Sequence, residues 1–190
     1  TPTTAYGIKD DMTFTASFDA RTDLGYEVHY FYDGEEDTDN CVTDGKGTLG
    51  ERIPYDTTLT EYNGKNYVLD RVDGKDKTIS ADPAQNVVNV YYTLDEIGTE
   101  DPDEPDEVAD KYQVTVTFEA VNGTVDKTKA VVTLFDEEGQ PAEKGTGYLK
   151  QDQIATATAE AGYNQGTLTW TPETPTTAYG IKDDMTFTAS

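Results

Sequence analysis

Cysteine and histidine are almost absent from this chain. Its 190 residues include one cysteine, Cys41, and one histidine, His29. A single cysteine cannot form an internal disulfide, so we expect core packing, or a cross-link such as a Lys–Asn isopeptide bond, to hold the fold together. A single histidine leaves no His-based metal cluster or His-dependent triad to assemble. Acidic neighbours should raise the pKa of Cys41, which makes it an incidental thiol, and we expect no enzyme.

Positive charge is also scarce. The chain has 14 Lys and Arg residues against 38 Asp and Glu residues, a net charge of −24. Such a chain repels nucleic acid and anionic lipid, so we expect no nucleic-acid partner and no direct membrane contact. Leu- and Ala-rich helical stretches are nearly missing, whereas Thr is frequent and 13 Tyr residues are present. This composition favours strands.

The most specific feature is an internal repeat. The segment TPTTAYGIKDDMTFTAS at residues 1–17 recurs unchanged 173 residues later, at residues 174–190. Solenoid repeats have periods of roughly 20–50 residues, so this much longer period indicates whole domains arranged in series. We therefore interpret residues 1–17 as the terminal strand segment of a preceding repeat. Adjacent repeats of the same protein are the expected partners.

Alternating residues predict a strand-rich first domain over residues 18–94. Apolar residues alternate with others from Tyr26 to Tyr32, the pattern of a strand with one buried face. Asp44-Gly45 is a turn signal, and Asn63-Gly64 between two apolar runs predicts a hairpin. The run from Val87 to Leu94 is apolar on nearly both faces, which predicts a central strand.

An acidic linker is predicted at residues 95–111. Residues 95–110 contain nine acidic residues, no basic residue and two prolines. Repulsion among the carboxylates and the conformational bias of the Asp-Pro and Glu-Pro sequences should hold the segment extended. We expect it to act as a semi-rigid spacer.

A second β domain is predicted at residues 112–190. The alternation from Val114 to Ala120 indicates a half-buried strand, which should form a hairpin through Asn122-Gly123 with a return strand at residues 130–135. Residues 151–160 are the candidate for a short helix. The segment from Met185 to Ala189 predicts a closing strand, which should continue beyond Ser190.

Several blocks in the first domain resemble the mucin-binding-protein domain of Gram-positive surface adhesins. They are Tyr-Glu-Val-His-Tyr at residues 26–30, followed by Asp33-Gly34, then Gly-Lys-Asn-Tyr-Val-Leu at 64–69 and Val-Asn-Val-Tyr-Tyr at 88–92. The resemblance implies a β-grasp (ubiquitin-like) fold. It also implies tandem copies on a bacterial cell wall, where some members bind mucin glycans and others act as spacers.

The second domain is similar to the internalin-type B-repeat modules of such surface proteins. The similarity lies in Val-Thr-Val-Thr-Phe-Glu-Ala-Val-Asn-Gly-Thr-Val at residues 114–125 and in the closing Thr-Phe-Thr-Ala. Together, the two resemblances imply a strand-dominated α+β chain with two tandem β-grasp domains in an elongated arrangement.

One loop offers oxygen ligands for a hard cation. Asp33, Glu35, Asp37 and Asp39 lie close together in the sequence, and carboxylates suit calcium. Their spacing is not that of a known calcium-binding loop, so a solvated acidic loop is the alternative. We expect no other cofactor.

Three tyrosines are candidate ligand-binding residues. Tyr55, Tyr62 and Tyr163 could stack on sugar rings, since a tyrosine ring offers contact area with a polar edge. Half-buried packing is the more common role of a tyrosine on a strand. The sequence therefore assigns no binding residue firmly.

The preferred functional interpretation is a repeat unit of an extracellular bacterial surface adhesin or stalk. Such a unit adds length and binds mucin or other host glycans weakly, through many copies. The alternative is a self-assembling fibre subunit, in which the segment before Phe18 docks on a neighbouring unit by donating a strand.

Overall fold

A computed structural model describes residues 11, 13–173 and 180–190, and its architecture is strand-dominated. The described residues contain four 3-10 helices of three residues each and no α-helix, so the helical component of the expected α+β class is missing from them. The strands are β1 (Leu24–Tyr32), β2 (Glu35–Glu36), β3 (Val42–Gly47), β4 (Glu61–Tyr62), β5 (Lys65–Asp73), β6 (Val87–Leu94), β7 (Gln113–Ala120), β8 (Gly123–Val125), β9 (Lys129–Thr133), β10 (Ala157–Ala159), β11 (Trp170–Thr171) and β12 (Met185–Ala189).

The first sheet is mixed and has the order β2-β1-β6-β5-β4, with β3 also paired to β1. Its central pair, β1 and β6, is parallel, with Glu27 opposite Val87 and Tyr32 opposite Tyr92. Val28 is fully buried, as the alternation in β1 predicts for one face of that strand. The prediction that residues 87–94 form a central strand is confirmed.

Two-residue turns fix the register of two hairpins. Asn63 and Gly64 have positive φ angles of 51° and 73°, the conformation of a type I′ turn, and they join β4 to β5 as predicted. Asp33 and Gly34 have φ angles of 47° and 88° and join β1 to the short strand β2. The acidic residues that follow Gly34 therefore begin with a strand, where a loop was expected.

Asp44-Gly45 does not form the predicted turn, because it lies inside β3. The ring of Tyr26 on the neighbouring strand covers this position, and a Cβ atom at Gly45 would lie only 2.5 Å from it. Gly45 lacks a side chain because the Tyr26 ring approaches its backbone closely. The sequence alone does not distinguish this role of a glycine from a role in a turn.

The core of the first sheet is covered by an irregular segment in place of a helix. Ile53 is buried, and Tyr55 and Leu59 pack against the same cluster as β1 and β6. The hydroxyl of Tyr32 donates to the backbone oxygen of Leu59 at 2.7 Å. Its ring stacks on that of Tyr92, with centroids 5.0 Å apart. Tyrosine thus contributes both apolar area and a polar anchor to the segment above the sheet.

The second sheet has the order β11-β12-β7-β9, and a separate pair is formed by β8 and β10. β12 and β7 are parallel neighbours, with Phe187 opposite Phe118. Both phenylalanines are buried, and their rings stack with centroids 5.7 Å apart. The ring of Trp170 packs edge-on against Phe118. The strand predicted at residues 185–189 is confirmed.

Two other predictions in this half are wrong in detail. The candidate helix at residues 151–160 is a 3-10 turn at Gln151–Gln153 followed by β10. The hairpin expected at Asn122-Gly123 is longer, because residues 123–125 form β8 before the chain returns in β9. The backbone of β8 forms hydrogen bonds with β10, so Asn122-Gly123 does not form a tight turn between β7 and β9.

The acidic segment is not extended, contrary to the prediction. The carboxylate of Asp95 accepts the N–H groups of Asp106 and Glu107 at 3.1 and 2.9 Å. The carboxylate of Asp110 accepts the N–H groups of Glu96 and Ile97. These carboxylates bind backbone donors within the segment, and the hydrogen bonds offset part of the repulsion among the acidic residues.

The segment before β1 forms no strand within residues 13–20. Met12 and residues 1–10, which include most of the first repeat copy, lie outside the described residues. Phe14 and Phe18 are exposed to 59% and 94%. Residues 13–17 of the first copy thus lack the sheet partners that the equivalent residues of the second copy have in and after β12.

Candidate functional site

The four acidic residues predicted to hold calcium do not converge. Asp33 accepts the N–H of Leu94, and the buried carboxylate of Asp37 accepts the N–H groups of Asp39 and Asn40. The amide group of Asn40 also donates to Asp37 at 2.7 Å. Glu35 is exposed on β2. Asp37 thus caps its own loop, whereas Asp33 binds the backbone at the end of β6. Neither these two residues nor Glu35 and Asp39 belong to a cluster with the geometry of metal ligands.

A different cluster has the arrangement of metal ligands. Throughout residues 11, 13–173 and 180–190, one group of His, Cys, Asp and Glu side chains brings its ligand atoms together within 4.8 Å: His29, Glu36 and Cys41. Nδ1 of His29 lies 2.6 Å from Oε1 of Glu36. The thiol of Cys41 lies 3.6 Å from the same oxygen. Nitrogen, oxygen and sulfur ligand atoms are thus close together, and the thiol also donates to the backbone oxygen of Asp37 at 2.9 Å.

The pairing of β1 with β2 places His29 and Glu36 on one face. His29 lies on β1, on the side away from the buried Val28, and Glu36 lies opposite Phe31 across the Asp33-Gly34 turn. The sequence interpretation missed Glu36 and discounted Cys41. The available signal was the two-residue turn, because its register puts Glu36 on the same face as His29.

Carboxylates surround both nitrogens of the His29 ring. Nε2 lies 3.1 Å from Oε2 of Glu27, on the side opposite Glu36. Burial alone would lower the pKa of His29, but the hydrogen bonds to Glu36 and Glu27 outweigh it and raise the pKa. Burial raises the pKa of the Cys41 thiol, and the charges of Glu36 and Asp37 add to this effect. Without a metal, these shifts favour the protonated forms of both the imidazole and the thiol.

Two of the three candidate tyrosines take part in packing. Tyr55 lies against the first core. Tyr62 stacks on Tyr32 with centroids 4.4 Å apart, so one face of its ring is covered. Packing thus covers part of each of these two side chains.

Tyr163 is the third candidate and is 55% exposed. It borders a groove of about 110 Å³ at the end of β12, beside the exposed side chains of Val121 and Leu168. The buried Ala157 and Ala189 line the same groove. The groove thus has an apolar rim, polar residues such as Asn164 and Gln165 complete its lining, and it lies where the second sheet ends.

Comparisons with known proteins do not assign the chain to a family. No family model matches the chain, and no curated protein matches it. A search of solved structures finds the crystal structure of Mub-RV, which is 15% identical, with 87% of this chain and 97% of that chain covered and a TM-score of 0.26. A TM-score this low does not establish a shared fold. No described helix is long and apolar enough to cross a membrane.

Proposed function

We propose that the chain is a repeat unit of an extracellular bacterial surface adhesin or stalk, built from two tandem β-grasp-like domains. The observation that carries the proposal is the parallel pairing of first and last long strands in both sheets, β1 with β6 and β7 with β12. Because the first and last strands run in the same direction, the chain enters such a sheet at one end and leaves it at the opposite end. Units of this topology can follow one another in a line, and the exact 17-residue repeat supplies the successive units.

The joint between the two sheets supports a spacer role. Nζ of Lys111 lies 3.1 Å from Asp70 on β5 and 3.7 Å from Glu143, which follows β9. The amide nitrogen of the buried Gln113 donates to Asp106 in the acidic segment. These contacts fasten the segment to both sides, so it transmits orientation better than a free tether does. The net charge of −24 keeps neighbouring units soluble and apart.

Small-angle X-ray scattering of proteins with one, two and three periods tests the spacer role. We expect the maximum dimension to grow by a constant increment with each period. A matched pair of variants tests the joint: Lys111→Gln should broaden the distance distribution, whereas Lys65→Gln on the exposed end of β5 should leave it unchanged. A three-period protein that is no longer than a two-period protein contradicts the proposal.

Weak multivalent binding of mucin or other host glycans is the second part of the proposal. Tyr163 supports it, because its ring is exposed beside an apolar groove. Binding of one-period and three-period proteins to mucin, with and without calcium, measures it, and affinity should rise with copy number. Tyr163→Ala should weaken binding by the one-period protein, whereas Leu49→Ala, which alters another exposed apolar residue, should not. Absence of saturable binding in every form leaves the spacer role alone.

Exposed aromatic residues favour one alternative, a self-assembling fibre subunit with docking of strands between units. Phe14 and Phe18 lie in a strand-forming sequence that has no sheet partner in residues 13–20. Such a segment can add to the sheet edge of another molecule. Sedimentation velocity over a wide concentration range distinguishes the alternatives, because a fibre subunit associates as its concentration rises and an isolated spacer stays monomeric.

A further inference from the structure

The groove beside Tyr163 lies on the path of the last strand. β12 ends at Ala189, whose backbone oxygen accepts the N–H of Val121. Ser190 exchanges two backbone hydrogen bonds with Thr169, both 2.9 Å long. The strand geometry therefore continues to the last residue, and the next residue begins at the groove.

Side-chain alternation determines where the next side chain points. Phe187 and Ala189 face the core, and they are 0% and 1% exposed. Alternate residues of a strand share a face, so the residue after Ser190 faces the core side as well. The small side chains of Ala189 and Ala157 leave space there, and Val121, Tyr163 and Leu168 form an apolar rim.

The repeat identifies that next residue. Residues 174–190 are identical to residues 1–17, so in a following period Ser190 is succeeded by the equivalent of Phe18. In this chain Phe18 is 94% exposed, an unfavourable state for a phenylalanine that burial in an apolar site would relieve. The groove volume of about 110 Å³ is of the order of the ~150 Å³ apolar cavities that take up benzene.

We propose that the groove bordered by Val121, Tyr163 and Leu168 is a socket for Phe18 of the following period. This inference rests on the proposed array. The phenylalanine completes the core of the second sheet and fastens one period to the next, so the connection between periods is a packed contact. Phe18 then fills the groove, and Tyr163 lies at its rim.

A two-period protein tests the socket with a matched control. Phe18→Ala in the second period removes the residue that follows Ser190. Phe18→Ala in the first period is the control, because no complete period precedes that residue. We expect the period-two substitution to lower the Tm of the second sheet of period one by about 4–8 °C and to speed amide exchange at Ala189 and Ser190, and we expect neither effect from the period-one substitution.

Equal effects of the two substitutions would overturn the socket. Tyr163→Ala in period one is a further check that should not prevent folding, because that ring is exposed in the single chain. Its effect should shrink when Phe18 of period two is already alanine, since coupled residues are not additive, and full additivity would also overturn the proposal. Small-angle scattering from the same proteins tests the array separately from the socket. If the maximum dimension grows with each period but the two Phe18→Ala substitutions have equal effects on Tm and amide exchange, the socket is rejected and the array is retained.

The cluster of His29, Glu36 and Cys41 carries an independent proposal. We infer that it binds Zn²⁺, through Nδ1 of His29, a carboxylate oxygen of Glu36 and Sγ of Cys41. Tetrahedral zinc places its ligand atoms roughly 3.3–3.8 Å apart, given Zn–N and Zn–S bonds of about 2.0–2.3 Å. The observed separations are 2.6 and 3.6 Å, and all three ligand atoms lie within 4.8 Å of one another. Zinc would replace the hydrogen bond that the thiol donates to the backbone oxygen of Asp37 at 2.9 Å. Zinc binding releases the thiol proton of Cys41 and the Nδ1 proton of His29 to solvent.

Glu27, which lies behind the His29 ring, is also consistent with a zinc site. Nε2 of His29 lies 3.1 Å from Glu27, and zinc-binding histidines commonly donate their other N–H to a carboxylate, which fixes the ring orientation. A mixed nitrogen, sulfur and oxygen set suits zinc, whereas calcium takes six to eight oxygen ligands. The ion would link β1, β2 and the residue before β3.

Calorimetric titration of the reduced protein with Zn²⁺ tests this site. We expect one ion per chain, a rise in Tm when zinc is added, and affinity at least tenfold weaker in Cys41→Ser and His29→Gln. Glu27→Gln should weaken binding about 10–100-fold, the range for loss of a carboxylate behind a ligand. Glu35→Gln, on the same two-residue strand, is the control and should leave affinity unchanged. Absence of binding, or binding that Cys41→Ser and His29→Gln leave intact, would overturn the site.

Discussion

The carboxylate of Asp95 accepts the backbone N–H of Asp106 at 3.1 Å. Asp95 is 4% exposed, and burial raises its pKa, as do the carboxylates of Asp106 and Asp110, whereas the hydrogen bonds from the N–H groups of Asp106 and Glu107 oppose this effect. The pair closes a segment whose composition suggests an open chain. One buried acid thereby determines the course of the connection between the two sheets.

Asp95→Ala should open this segment. It removes the acceptor for two N–H groups, and we expect the free energy of unfolding to fall by about 1 kcal/mol, near the value of a net hydrogen bond, since the freed groups can bind water. Amide hydrogen exchange at Asp106 and Glu107 should become faster. Asp103→Ala, an exposed acid in the same segment, is the control, and equal exchange in both variants would show that Asp95 does not close the segment.

Asn86→Ala should destabilise the first sheet strongly. The side chain is fully buried and donates to the backbone oxygens of Gly25 and Ser80, at 2.8 and 2.9 Å, and it accepts the N–H of Ser80 at 2.8 Å. Its loss leaves three partly buried backbone groups without this partner and a cavity where the buried side chain was, so we expect a cost of about 2–4 kcal/mol in urea unfolding. Gln85→Ala, next to it and exposed, should change stability by less than about 0.5 kcal/mol.

Phe187→Ala and Phe14→Ala form a pair at equivalent positions of the two repeat copies. Phe187 is 0% exposed and packs on Phe118, whereas Phe14 is 59% exposed. We expect a loss of about 3–5 kcal/mol for Phe187→Ala and less than about 0.5 kcal/mol for Phe14→Ala, measured by thermal or urea unfolding. A large effect of Phe14→Ala would mean that the first copy also packs in solution.

The contribution of His29 to stability should depend on pH. Hydrogen bonds to Glu36 and Glu27 raise its folded pKa despite burial, above an unfolded value of about 6.5. A raised pKa stabilises the fold fully below about pH 6.5, and this contribution is lost as the pH rises through the folded pKa. NMR titration of the imidazole protons measures the shift in the metal-free protein.

Glu36→Gln supplies the comparison for this titration. It should bring the pKa of His29 closer to its ordinary value and flatten the pH dependence of stability above pH 6.5. Glu35→Gln should leave the titration as it is. A His29 pKa at or below the ordinary value in the unsubstituted protein would contradict the prediction.

Short-range patterns predicted much of the fold. The residues from Val87 to Leu94 form the central strand that their apolar character indicates. Asn63-Gly64 forms the predicted hairpin turn between β4 and β5, because the positive φ angles at both turn positions favour Asn and Gly. Gly45 misled the same reasoning, since its role is to admit the ring of Tyr26 from another strand. Residues 151–160 were assigned to the wrong element because pairing with β8 outweighs a weak helical preference.

The candidate sites were harder to predict than the strands. His29 and Cys41 are 12 positions apart in the sequence, and their proximity depends on the register of β2 and on the path of the loop that Asp37 caps. The groove beside Tyr163 depends on residues from three separate parts of the second domain. Neither arrangement follows from composition or periodicity.

The acidity, the high strand content and the exact 17-residue repeat can all be read from the amino-acid sequence, because they depend on composition, alternation and identity alone. The conformation of each repeat copy depends instead on the strands that pack against it. Thr-Phe-Thr-Ala-Ser is an exposed segment without strand pairing at residues 13–17, whereas residues 186–190 lie in and directly after a buried strand. The difference arises because β7 and β11 provide hydrogen-bond partners and an apolar face for the second copy.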